Sequence, residues 1–118
     1  EVIKIAQHFI KNIDFAKVLD LASLVEYQKG QVVSRTLAQG RPLSITLFAF
    51  DEGEGISSHS SSGDAFVYLL DGEAEITVGG EKFTLKKGET IVMPAGIPHA
   101  LNAVKQFKML LIVVFSLQ

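Results

Sequence analysis

With 118 residues, 47% of them hydrophobic and 20% charged, and a formal net charge of −2, the chain can bury one core; it is too apolar to stay disordered and lacks the basic excess that recruits nucleic acid or an anionic membrane. The absence of cysteine removes disulfides, zinc–thiolate centres and thiol nucleophiles together, and suits a reducing compartment. The longest uninterrupted apolar run, 109–115, is too short to cross a bilayer, and 1–14 carries charges without a cleavable apolar stretch, so a cytoplasmic protein is expected.

In chain order, 12–27 (NIDFAKVLDLASLVEY) fits either a short helix with Asp14 as N-cap or irregular structure, and "GQVVSRTLAQ" after it reads as a strand. A strand follows at 43–50, with Ile45, Leu47 and Ala49 on one face and Phe48 and Phe50 on the other. Both faces are apolar, so it should be covered on both sides, by the core and by a partner or a neighbouring segment. "AFVYLLDG" is a strand ending at Gly72, and 73–86 is a hairpin: Ala74, Ile76 and Val78 alternate with polar residues, and Gly79-Gly80 forms a two-residue turn. A short strand, a Pro/Gly turn and another strand occupy 89–101, and 107–116 is an apolar, β-branched run buried on both faces. Eight to ten short strands with no βαβ alternation predict an all-β antiparallel sandwich or barrel.

Two stretches carry a family pattern. Gly53 is followed after five residues by His59, and Gly72 lies at the closing position of the same motif. In "GETIVMPAGIPHALN", Gly88, Pro94, Gly96 and His99 are spaced as in a second motif, with Ala103 where an asparagine belongs and Asn102 one residue early. Over about 31–115 the chain resembles the cupin superfamily of small double-stranded β-helix (jelly-roll) barrels. The resemblance implies a single domain over 1–118, with the barrel at 31–115 and an N-terminal arm at 1–30 that packs on a partner subunit.

In that family, two histidines and a glutamate of the first motif join the histidine of the second around a divalent metal. His59 and His99 match; Ser61 replaces the second histidine, and Ala65 stands at the glutamate position. A serine hydroxyl is a poor ligand for zinc or iron at neutral pH, and an alanine offers none. The nearest carboxylate, Asp64, belongs by alternation to the opposite face, although a bulge beside Gly63 would turn it inward and complete a His59–His99–Asp64 set. The expected ligand pocket is thus His59, Ser61, Ala65 and His99, with a divalent metal of unknown identity left open and no nucleotide or flavin signature. No lysine or arginine falls between Arg41 and Lys82, while eight acids do, which fits either an electronegative mouth or a solvated rim. None of the serines at 57–62 stands in a nucleophile elbow.

Three functions follow: a small-molecule-binding cupin with a degenerate metal site, a metal-dependent enzyme of dioxygenase or isomerase type using His59 and His99, or a dimer without ligand. Catalysis itself stays open. Apolar residues on both faces of 43–50 and 109–115 exceed what a small barrel can enclose, so a homodimer with a two-fold interface is expected.

Overall fold

The computed structural model describes residues 8–117; residues 1–7 of the expected arm, and Gln118, lie outside the described residues. Among the described residues, eight strands follow one turn of 3-10 helix at Leu21–Leu24: β1 (Val32–Gln39), β2 (Leu43–Phe50), β3 (Gly55–His59), β4 (Asp64–Val78), β5 (Glu81–Lys86), β6 (Thr90–Met93), β7 (His99–Asn102) and β8 (Phe107–Val114). Every pairing is antiparallel, and the strands curl into the barrel expected of the sequence. One sheet runs β1-β2-β8-β4 with β6 on the far side of β4; the other runs β3-β7-β4-β5.

β4 is shared by both sheets. The strand expected to stop at Gly72 instead continues to Val78: its first half pairs with β8 and β6, and its second with β5 and β7. The change of sheet follows a register shift between Leu69 and Asp71, and occurs at Gly72, where φ is +76°. A side chain at this position would be strained by the left-handed backbone, and its Cβ would overlap the Gln106 carbonyl oxygen. The glycine therefore bends the strand without breaking it. At the other end of β4, Gly79 and Gly80 both take positive φ (58° and 85°), as the two-residue hairpin requires.

The alternation read from the sequence sorts the side chains into two clusters. Ala65, Val67 and Leu69 of β4, Ala74 and Ile76 beyond the bend, and Phe107 and Met109 of β8 point between the sheets and are buried. Phe50 joins them, its ring stacked on Phe107 at a centroid distance of 4.4 Å. Each fully buried side chain of this kind contributes about 1.5–3 kcal/mol, and an aromatic pair about 0.5–1.5 kcal/mol beyond its area.

Leu47 and Ala49 of β2 point the other way and are fully buried with Val25 and Leu37 in the second cluster, against which Ile13, Leu21, Leu24 and Tyr27 pack. The second face of β2 is therefore covered from within the chain, by 13–27. That segment is irregular apart from its single turn, capped by Asp20, whose carboxylate accepts from the Ala22 N–H at 3.3 Å. Asp14 caps no helix and instead meets Lys17 at 3.6 Å on the surface. A continuous helix is excluded by left-handed φ values at Asn12 (60°) and Ala16 (55°). The arm is anchored where the Lys11 N–H donates to the Leu37 carbonyl (2.7 Å) and where the Tyr27 hydroxyl donates to Asp71 (2.6 Å). Burial, reinforced by the Asp71 carboxylate, raises the Tyr27 pKa far above its ordinary value. Lys108 lies 5.0 Å from the Tyr27 ring and donates to the Ala22 carbonyl at 2.8 Å, tying the turn to β8. No helix among the described residues is long and apolar enough to cross a membrane.

Gly72→Ala is expected to lower the unfolding free energy by about 3 kcal/mol, combining the left-handed penalty with the backbone overlap. Gly80→Ala, where an added Cβ meets nothing within 4 Å, should carry only the conformational part, about 1 kcal/mol. Urea midpoints at unchanged m-value measure both.

Candidate functional site

The site is built where β3 meets β7. Gly55 stands opposite Asn102 and Ile56 opposite Leu101, but the next paired residues are His59 and His99, so β3 holds one extra residue in between. In regular register Ser58 would face His99. The bulge also explains why Ile56 and His59, an odd number of residues apart, line the same cavity. His99 is fixed from the other side by the Pro94–Gly96 turn. The Gly96 N–H donates to the Ser61 carbonyl at 2.8 Å, and the Gly79 N–H to the Pro98 carbonyl at 2.9 Å, so the turn is pinned to the exit of β3 and to the hairpin.

The two imidazoles meet edge to face, with centroids 4.4 Å apart and planes at 67°. His99 is 4% exposed, whereas His59 lies open to solvent. Each ring is oriented by a carbonyl two residues upstream: His59 Nδ1 lies 3.0 Å from the Ser57 carbonyl oxygen and His99 Nδ1 3.2 Å from that of Ile97. A carbonyl oxygen only accepts, so each Nδ1 carries the proton, and in the neutral ring Nε2 keeps the lone pair. Burial pushes the His99 pKa below its ordinary 6.5, and the neighbouring His59 pushes it the same way; the hydrogen bond to Ile97 opposes them without prevailing.

Behind the pair lies a cavity of about 310 Å3. Ala65 and Met93, which face each other across β4 and β6, line it together with Leu101, Met109, Leu111 and Val113; Ser60 and Ser61 stand beside His59 at its rim. An apolar groove of about 250 Å3 also lies outside the barrel, between the arm and β1–β2, but among the described residues Asp14 is the only polar one lining it. The interior cavity holds the groups capable of chemistry.

Of the residues singled out in the sequence, His59, Ser61, Ala65 and His99 all line this cavity. Asp64 does not. No bulge turns it: its pairing with Val114 continues in register through Ala65 and Phe66, and its exposed carboxylate accepts from the Ala95 N–H at 2.8 Å, outside the barrel. Ser61 Oγ, in turn, accepts from the Gly63 N–H at 3.1 Å. The divalent metal implied by the resemblance would therefore find two imidazoles, an engaged serine and a methyl group. No three His, Cys, Asp or Glu side chains cluster among the described residues. This donor set does not fit a resident divalent metal. No motif marks the other walls, although Met109, Leu111 and Val113 fall on one face of β8 by simple alternation.

A sequence model of the cupin domain matches residues 46–115. The chain belongs to the cupin family. Over 92% of its length this cupin superposes on a conserved protein of unknown function from Streptococcus pyogenes, with 54% identity, a TM-score of 0.91 and 96% of that chain covered. It also superposes on a cupin superfamily protein from Desulfitobacterium hafniense (37% identity, TM-score 0.86, 91% of this chain and 98% of that one). An uncharacterised protein from Streptomyces coelicolor is 32% identical over 76 residues, which is 64% of this cupin and 71% of that protein.

The His99 imidazole is expected to titrate below 6.5 in proton NMR spectra. The unfolded chain takes up this proton at the ordinary value, so between the two midpoints it binds more protons than the folded protein and stability rises with pH. The contribution is thus present above 6.5 and lost as pH falls through the folded midpoint. Unfolding curves recorded between pH 7.5 and 5 should show this slope (roughly the range over which histidines titrate), and His99→Gln should flatten it.

Proposed function

We propose that this cupin binds a small molecule inside its barrel, against His59 and His99, without a resident divalent metal. The observation that carries this reading is the pairing of two oriented imidazoles at one end of an interior cavity whose remaining walls are mainly apolar. Ligand sites have this form, an apolar chamber with a few fixed polar groups. The same barrel with a third and fourth protein ligand would favour metal chemistry, but Ser61 and Ala65 stand at those positions.

Two measurements test the proposal. Untagged protein purified without chelators is expected to hold iron, manganese, nickel and zinc well below one equivalent. A near-stoichiometric metal that disappears in His99→Ala would overturn the reading in favour of a metal-dependent dioxygenase or isomerase. In methyl NMR spectra, indole is expected to shift the Met93 and Met109 resonances saturably in the wild type. Ala65→Leu, which fills the cavity from β4, should weaken that binding at least tenfold.

A further inference from the structure

The cavity is electrically neutral in a specific way. None of the described residues lining it is Lys, Arg, Asp or Glu. A charged ligand would lose its hydration there and meet no opposite charge, which is a severe penalty in an apolar enclosure. With both Nδ1 protons committed to backbone carbonyls, neither neutral imidazole has an N–H to offer an anion. The Nε2 acceptors call for a donor from the ligand; among the described lining residues the side-chain donors are the Ser60 and Ser61 hydroxyls at the rim. The volume of about 310 Å3 is roughly twice the ~150 Å3 that accommodates benzene in an apolar cavity, so a substituted single ring fits.

We infer that the cavity selects uncharged molecules of substituted single-ring size that carry a hydroxyl group, which donates to imidazole Nε2 of His59 or His99. The inference rests on the reading of the cavity as a ligand site and adds the chemistry that site recognises. The apolar body of the ligand lies against Met93, Leu101, Met109, Leu111 and Val113, and the hydroxyl faces the histidines. Selection follows from the penalty on the wrong partner: a ligand without a donor leaves a partly enclosed Nε2 unsatisfied, and a charged one is stripped of water without recompense.

Three probes of matched size separate the terms: 4-propylphenol, 4-propyltoluene, in which a methyl replaces the hydroxyl, and the 4-propylbenzoate anion. Titrations followed by the Met93 and Met109 methyl resonances and the two imidazole resonances are expected to rank the phenol first, with the toluene about tenfold weaker and the benzoate weaker still. His59→Leu, at an exposed position that leaves the core intact, should reduce the preference for phenol over toluene at least threefold. Equal affinity for phenol and toluene, or an unchanged preference in both His59→Leu and His99→Gln, overturns the inference but leaves the cavity a ligand site. Tightest binding by the benzoate overturns it as well. If no probe shifts the methionine methyls, the reading of the cavity as a ligand site falls with it.

Discussion

Everything in this barrel depends on one strand serving two sheets. β4 pairs with β8 and β6 before Gly72 and with β7 and β5 after it, so the relative placement of the two sheets is fixed by the bend at that residue. The bend works because the backbone enters the left-handed region while passing against the Gln106 carbonyl, at the start of β8. An interruption there would still have allowed two sheets, but not sheets locked in mutual register. The cavity lies between them: Ala65 and Met93 come from one sheet, and Leu101 and His99 from the other.

Within that frame the site needs only a single irregularity. The extra residue in β3 brings His59 opposite His99, and hydrogen bonds of 3.0 and 3.2 Å to the Ser57 and Ile97 carbonyls set the rings. The imidazoles are thus prepositioned by backbone rather than by other side chains, which is economical in a chain of this length. Preorganised acceptors are the feature a binding site needs most, because their orientation is settled during folding and not when the ligand arrives. Two of the acidic residues around the barrel are engaged away from the cavity. Asp51 accepts from Gln106 and from the Gly30 N–H, which holds its carboxyl below the usual carboxylate range, and Asp71 accepts from Tyr27.

The β-rich fold could be read from the sequence because its strands have clear periods: Ala74, Ile76 and Val78 before a Gly-Gly turn, and alternating large residues in 107–114. The four cavity positions were legible through motif spacing, which reports backbone geometry and so survives the loss of ligating side chains. Asp64 and Gly72 resisted for opposite reasons. Whether a carboxylate turns inward depends on a bulge that leaves no mark on local composition, and the bulge formed in β3 instead, at a run of serines compatible with either register. Gly72, in an Asp-Gly pair, looks like an end, yet its left-handed backbone and a neighbouring carbonyl distant in sequence explain why glycine is required there. The arm defeated period-based reading altogether, since its apolar residues answer to the surface of β2 and not to a helix of their own.

The arm also bears on what counts as the smallest self-sufficient piece of this protein. The family match begins at residue 46, inside β2, yet Leu47 and Ala49 are sealed by Val25 and Leu37 and by the packing of Ile13, Leu21, Leu24 and Tyr27, all upstream of it. A fragment cut at the motif boundary would present a flat greasy sheet to water and lose the β1 edge that closes it. The stretch that carries the family match is therefore shorter than the stretch whose apolar faces must be covered together.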